Sequence, residues 1–507
     1  MAGREAVHHA TAWGFLSTRR GQHILEGFPW IRFEQRRVQI PVGDVRFDPT
    51  SYVDPHGRLF QWQDRLYRGI RPESADFFRA LIGGRRFQSF VESGRVVETR
   101  FSEHELEGFA LVLEHRTIWP RTYCVEWPPQ MLQDAALLTL DLARELAEED
   151  LVLQDAYPWN VLFDGARAVF VDVGSIRTAV PGLLWQPYEQ FCRFFLFPLY
   201  LYAAGLGELV RPMLFNYLGG VSYELCSRLL SGIFKLTHPQ TLSRLEFPLG
   251  VSRMVRTLKA EAKVREASQK GQMQVDWSRA RRNLFRGLYR DVQSIRLRVP
   301  RTEWSDYQEW PSFDDPASWT IKQRHIGSLY EKLQPESVVD VACNLGWYAT
   351  LAARRGVRVV AFDQDESCVS KLYLSARQEN LPLTPLCVDA LRPTPSFGWN
   401  LEQFPSLLQR VRGDMVVALA LIHHLVITQW QSFERVVTAL SSLTQRCLVL
   451  EYVPLTDEMA RKLLSYQRES FDWYTLDNLA AALKARFSEV EVLPSHPEGR
   501  QLLVATR

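Results

Sequence analysis

The chain has 507 residues, 46% of them hydrophobic and 23% charged, with a formal net charge of +2. That length calls for two or three domains, and that composition for an ordinary soluble globular protein with no general affinity for nucleic acid. The seven cysteines include no Cys-x-x-Cys pair, so they fit neither a zinc site nor a disulfide scaffold and point to a reducing compartment.

The N-terminus, MAGREAVHHATAWGFLSTRRG, lacks the apolar core of a signal peptide, and a cytoplasmic location is expected. Residues 1–240 are expected to form a first domain, in which short apolar runs and turns give way to helix. No lysine precedes Lys235, although arginine is abundant. Arginine can replace lysine on a surface, but it is a poor substitute where chemistry wants a compact ammonium. The phrase LQDAYPWNVLF, from Leu153 to Phe163, is followed by VFVDVGS, from Val169 to Ser175. Asn160 comes five residues after Asp155, and Asp172 twelve after Asn160. This pattern resembles the core of the protein-kinase and aminoglycoside-kinase superfamily. The resemblance implies an α+β kinase-like fold with Asp155 as catalytic base, and with Asn160 and Asp172 as Mg²⁺ ligands on the phosphates of ATP.

The match fails nearer the N-terminus. Gln154 stands where a histidine is usual, no Val-Ala-Ile-Lys strand exists, and there is no Gly-x-Gly-x-x-Gly loop. His56-Gly57-Arg58 and Ile82-Gly83-Gly84 read only as turns. Arg68, in RLYRGI, is the nearest substitute for the lysine and is not expected to fill its role. A degenerate kinase-like domain that binds a substrate or partner is therefore expected. An active kinase, and an unrelated domain with Asp/Asn-rich turns, are the alternatives.

The most apolar run, FFLFPLYLYAAGL from Phe194 to Leu206, is 13 residues long and contains Pro198. A membrane span needs roughly 20, so a buried helix is expected and no transmembrane segment. Residues 241–318 read as an Arg-rich helical connector, as in SRARRNLFRGLYRDVQSIRLRV, ending in the Pro- and Trp-bearing VPRTEWSDYQEWPSFDDPASW. Its basic face is taken as a solvated face or interdomain brace rather than a nucleic-acid or lipid surface.

From 319 to 507 strands and helices alternate. SVVDVA, VRVVAFD, LTPLCVD, DMVVALALI and RCLVLEYVP read as strands, and FSEVEVLPS with RQLLVATR as a closing antiparallel hairpin. Continuous apolar strands separated by helices predict a Rossmann-like α/β domain with a parallel sheet covered on both faces. The first strand runs into Asp340-Val-Ala-Cys-Asn-Leu-Gly346. A turn passing close beneath a ligand needs small or left-handed-tolerant residues, here Ala342, Asn344 and Gly346. A dinucleotide fingerprint would fall on Ala342, Asn344 and Trp347, which fits badly. The spacing acidic-x-Gly-x-Gly-x-Gly falls on Asp340, Ala342, Asn344 and Gly346, with two of the three glycines replaced.

Asp363 ends the second strand, 23 residues after Asp340, where a carboxylate can accept both ribose hydroxyls. Asp389, next to Ala390 in CVDAL, ends the third, where an acid can accept from an adenine amino group. Helix capping is the alternative role for such acids. The fourth strand leads to His423 and His424, at the sheet edge where ligands bind. Either could act as a general base, or merely pack. Glu451, in LVLEYVP, is a further catalytic candidate.

DVACNLGWYATLAA, VVAFDQDE, DMVVALALIHHL, LVLEYVP, WYTLDNLAAAL and VLPSHPEGRQLLVA together resemble a bacterial methyltransferase family that includes a host-specific nodulation protein. The resemblance covers roughly residues 300–507. It implies a class I fold and S-adenosylmethionine as cofactor. The pairing with a kinase-like domain is similar to fused kinase–methyltransferases that modify bacterial glycan ends. The expected function is methyl transfer to a small molecule or glycan. A bifunctional kinase–methyltransferase and a non-catalytic S-adenosylmethionine-binding protein are the alternatives. The acceptor and the oligomeric state are not written in the sequence.

Overall fold

The computed structural model describes residues 38–246, 276–306 and 310–507. Residues 1–37, including the N-terminal segment MAGREAVHHATAWGFLSTRRG, and part of the connector therefore lie outside the described residues. An antiparallel sheet comes first: β1 (Arg46–Phe47), β2 (Gly57–Trp62), β3 (Arg65–Ile70), β4 (Thr99–Phe101) and β5 (Leu111–His115), in the order β1-β2-β3-β5-β4. Helices α1 (Pro72–Gly83) and α2 (Arg85–Glu92) fill the β3–β4 connection. Pro72 starts α1 because its fixed φ and missing N–H cost nothing at a first turn.

Helix α3 (Pro129–Leu146) follows, then β6 (Leu151–Leu153), β7 (Val161–Asp164), β8 (Arg167–Phe170) and β9 (Ile176–Thr178). Strands β7 and β8 form a hairpin, and β6 pairs with β9. The apolar run ends in a buried helix, α4 (Phe197–Ala203), as the 13-residue stretch predicts. Among the described residues no helix is long and apolar enough to cross a membrane. The Arg-rich stretch contains α5 (Trp277–Ser294), which packs along α3. Its buried Arg281 donates to the carbonyls of Val180, Leu183 and Leu184, the contacts of a brace.

The C-terminal half is built on one seven-stranded sheet. Its elements are α6 (Ile321–Leu333), β10 (Ser337–Val341), α7 (Trp347–Ala353), β11 (Arg358–Asp363), α8 (Glu366–Gln378), β12 (Leu383–Cys387), β13 (Gly413–Ala418), α9 (Phe433–Leu443), β14 (Thr444–Tyr452), β15 (Glu489–Pro494) and β16 (Gln501–Thr506). The strand order is β12-β11-β10-β13-β14-β16-β15. The first five strands are parallel, and β16 runs antiparallel between β14 and β15. Strands β10 and β12 are buried along their whole length, which their unbroken apolar runs require.

The two halves share one hydrophobic core. The Tyr373 hydroxyl on α8 donates to Asp134 on α3 at 2.6 Å, and the Thr384 hydroxyl on β12 donates to the Gly165 carbonyl at 2.9 Å. Gly165 has φ +62°, and a Cβ there would sit 2.6 Å from the Leu381 carbonyl oxygen. No other residue allows the β7–β8 turn to approach the edge of the second sheet so closely. A buried ion pair, Arg410 with Glu126, joins the halves as well, and Arg410 lies 3.9 Å above the Tyr123 ring.

Candidate functional site

A cavity of about 1110 Å³ opens at the carboxyl ends of β10, β11, β12 and β13. Where strand order reverses, here between β10 and β13, the loops diverge and leave such a crevice. The turn after β10 forms its floor. Ala342, Asn344 and Gly346 have φ of +58°, +52° and +70°. The three positions expected to need left-handed tolerance all adopt it. A Cβ on Gly346 would also lie 2.4 Å from Leu372 Cδ2, so glycine is required there.

Asn344 puts its side chain to use in the turn. Its Oδ1 accepts from the Leu345 amide at 2.7 Å, and its Nδ2 donates to the Trp304 carbonyl at 3.2 Å. The amide therefore caps its own turn and ties the connector over it. Its backbone N–H donates to Asp363 Oδ2 at 2.8 Å, while Asp363 Oδ1 accepts from the Asp365 amide at 2.9 Å. Helix α8 is capped by Asp365, which accepts from the Cys368 amide. Asp363 is thus not the helix cap, and its carboxylate reaches the cavity wall. Burial pushes its pKa up, against the two amide donors. Asp389 and Ala390 line the same wall. Asp389 accepts from the Leu391 amide at 2.9 Å and pairs with the exposed Arg392 at 2.8 Å.

Asp340 lies at the cavity, only 3% exposed, and its Oδ2 has no hydrogen-bond partner among the described residues. Burial, then the charge of Asp363, pushes its pKa up to about 8. A buried acceptor left unpaired is costly unless a ligand supplies a donor. In the unfolded chain the carboxyl has its ordinary value of 3.8. The folded state therefore holds an extra proton between those two values, and its stability falls as pH rises through that window. Asp340→Asn cannot ionise. Urea unfolding should show the variant losing less stability than the native chain between about pH 5 and about pH 8. Parallel losses would show that Asp340 ionises normally.

Beyond β13 the structure differs from the sequence expectation. DMVVALALI does not run as one strand; β13 ends at Ala418. Ala420 turns left-handed, with φ +49°, and its N–H donates to Glu451 Oε2 at 2.8 Å. The chain then coils, placing both histidines on a helical turn. His423 is 1% exposed with its Nδ1 unpartnered, and burial, followed by the neighbouring His424, pushes its pKa down to about 3. The shift keeps the ring neutral, and its burial suits packing, one of the two roles open to either histidine. His424 is half-buried at the cavity wall, 4.2 Å from the His423 ring and edge-on to Trp304. Its pKa is lowered by burial and then by Arg500.

Glu451 also has a place unlike the one expected. It is fully buried and accepts from Lys322 Nζ at 3.0 Å, Ser495 Oγ at 2.6 Å and the Ala420 amide. With its oxygens engaged, Glu451 acts as an anchor, and Lys322 is the group at the cavity wall. Lys322, Trp304 and Arg211 line the cavity but lie outside any motif in the sequence, and Arg500, which also lines it, lies in VLPSHPEGRQLLVA without being an expected site residue.

In the N-terminal half, the β6–β9 pairing brings the other constellation together. The Asp155 N–H donates to Ser175 Oγ at 3.1 Å, and Gln190 Nε2 donates to Asp155 Oδ1 at 3.4 Å. The Asn160 carbonyl accepts from Val171 at 2.8 Å, and its Nδ2 is buried without a partner. Asp172 accepts from Arg68 Nη2 on β3 at 3.2 Å. The other arm of Arg68, whose side chain is 4% exposed, pairs with Asp54 from the β1–β2 turn. Burial raises the Asp172 pKa, and Arg68 opposes that shift. Among the described residues no group of three His, Cys, Asp or Glu side chains could hold a metal ion. Trp159, within the same loop, packs on Phe397 and Phe404 of the C-terminal half.

No family model matches the chain. The chain is 28% identical over 467 residues to the nodulation protein NoeA of Rhizobium meliloti strain 1021, covering 88% of this chain and 93% of that protein. Among solved structures, the bifunctional kinase–methyltransferase WbdD matches with 14% identity, over 39% of this chain and 42% of that one, at a TM-score of 0.27. The chain thus spans less than half of that structure. Magnesium protoporphyrin IX methyltransferase of Synechocystis PCC 6803, with bound S-adenosylmethionine, matches at 19% identity over 36% of this chain and 79% of that one, TM-score 0.26. The chain is similar along most of its length to a rhizobial nodulation protein, and its C-terminal half folds as a Rossmann-like α/β domain with the strand order 3-2-1-4-5-7-6.

Proposed function

We propose that the chain binds S-adenosylmethionine in the cavity at the sheet edge and transfers its methyl group to a small molecule or glycan. The observation that carries this reading is the left-handed turn of Ala342, Asn344 and Gly346, lying beside Asp363 and Asp389 on one cavity wall. The residues fit the cofactor. Asp363 has lone pairs free for two ribose hydroxyls, Asp389 faces the place of an adenine amino group, and the orphaned Oδ2 of Asp340 suits an ammonium or amide donor. When bound, the cofactor supplies an electrophilic methyl group. His424 accepts the proton that the acceptor atom gives up as it takes the methyl group, and its lowered pKa keeps it neutral and competent at physiological pH. Lys322, fixed by Glu451, and Arg500, fixed by Asp457 at 2.9 Å, orient the acceptor's oxygens. A cavity of about 1110 Å³ has room for both molecules. The test is incubation with methyl-labelled cofactor and extracts of the protein's own cells. A labelled small molecule or glycan supports this reading, and label confined to protein or nucleic acid contradicts it.

The same reading takes residues 1–240 as a degenerate kinase-like domain, 241–318 as a connector and 319–507 as the methyltransferase domain, in a cytoplasmic protein. The sheet with α1 and α2 in its β3–β4 connection, and the spacing of Asp155, Asn160 and Asp172, support the first assignment. They also favour the second reading, a bifunctional enzyme using Mg²⁺ and ATP. Against it, Arg68 pairs with Asp172, and Asp54 sits on the arm of Arg68 that phosphate would need. Phosphoryl transfer depends on positioning and charge stabilisation, both lost when the cation is occupied by carboxylates. The full-length protein should show no ATP turnover with Mg²⁺ above a buffer blank, measured as released phosphate. Robust turnover that disappears in Asp155→Ala would promote the bifunctional enzyme.

A further inference from the structure

The cofactor cleft is not built by the methyltransferase domain alone. The turn after α4 and the short helix Val210–Leu214 that follows it reach across the domain boundary, and Gly205, Gly207, Glu208 and Arg211 of this segment line the cavity. The connector adds Trp304 and Trp310. The reach of that turn is fixed by a charged cluster. The Tyr202 hydroxyl, on α4, donates to Glu366 Oε1 at 2.9 Å. Arg211 Nη2 lies 3.3 Å from the same oxygen, and Arg211 Nη1 donates to the Cys387 carbonyl at 3.4 Å. A Cβ on Gly207 would stand 2.6 Å from the Tyr202 ring, so only glycine lets the turn fold back beside that hydroxyl.

The positions of these partners decide where Arg211 points. Glu366 opens α8, three residues after Asp363, and Cys387 closes β12, two before Asp389. Arg211 therefore spans the two strand ends assigned to the ribose and the adenine. Its guanidinium has five donors in a planar fork, and the contacts to Glu366 and Cys387 leave others for a ligand.

Resting on the reading of this cavity as an S-adenosylmethionine site, the geometry points to Arg211 as a further cofactor-binding residue, contributed by the N-terminal domain to the nucleoside end of the cofactor. Tyr202 and Glu366 are its positioning residues. The N-terminal domain is then a fixed wall of the methyltransferase site.

The test is calorimetric titration of the full-length native chain, Arg211→Ala and Arg211→Lys with S-adenosylhomocysteine, and by competition with 5′-methylthioadenosine, which lacks the amino-acid end. Arg211→Ala should weaken both ligands by the same factor, about tenfold or more, as the loss of a charged donor requires. Arg211→Lys keeps the charge but not the fork, and should weaken both by a smaller factor. It decides the matter if the alanine variant does not fold. Native affinity for both ligands in the variants overturns the role of Arg211 and leaves the cofactor assignment standing. A loss confined to S-adenosylhomocysteine places Arg211 at the amino-acid end and overturns the inference too. No binding of either ligand to the native chain overturns the cofactor assignment and this inference together.

Discussion

Replacing Asp363 with alanine is expected to weaken S-adenosylhomocysteine binding by about 10²- to 10⁴-fold. The carboxylate would accept two ribose hydroxyls, and each hydrogen bond to a charged group is worth about 1.5–3 kcal/mol. Asp363 also holds the floor of the cleft, because it accepts from the amides of Asn344 and Asp365. The variant therefore loses both a ligand contact and part of the turn's rigidity. The helix that follows keeps its cap, since Asp365 supplies it, so folding should change much less than binding. Calorimetry for affinity and thermal unfolding for stability separate the two effects. An unchanged dissociation constant would reduce Asp363 to a structural residue of the turn.

The second large effect belongs to His424. His424→Ala is expected to lower turnover by about 10²- to 10⁴-fold, the usual contribution of a general base, while leaving cofactor affinity nearly intact. The pH dependence carries the sign. The imidazole must be neutral to accept a proton, and burial and then Arg500 lower its pKa below the ordinary histidine value. Native kcat/KM should therefore hold through neutral pH and fall only on the acid side of that value. The variant should lack this acid limb. His423, with its pKa near 3 and a buried ring, should not produce it. Wild-type rates in His424→Ala across the pH range would mean that transfer proceeds by positioning alone.

The C-terminal half was legible because its physics is local. Buried parallel strands need unbroken apolar runs, and the turn after β10 needs residues that tolerate positive φ, so Ala342, Asn344 and Gly346 could be placed from spacing. The end of β13 was not legible. VVALALI is apolar throughout, and only the left-handed Ala420, tied to Glu451, breaks the strand four residues early. Glu451 misled for a related reason. Its position at a strand end suggested the cavity, but its partners Lys322 and Ser495 come from distant parts of the chain. Arg211 and Trp304 were invisible for the same cause, since they reach the site only through contacts between the halves. In the N-terminal half the spacing of Asp155, Asn160 and Asp172 was readable. The Asp54–Arg68–Asp172 pairing was not, because β3 and the β1–β2 turn meet Asp172 only after folding.

The central claim is that the cavity beside Asp363 and Asp389 takes S-adenosylmethionine rather than a dinucleotide. Calorimetric titration of the full-length protein with S-adenosylhomocysteine and with NAD addresses it most directly. The account predicts saturable binding of S-adenosylhomocysteine at one site per chain and no heat from NAD. Binding of NAD, with none of S-adenosylhomocysteine, would contradict it.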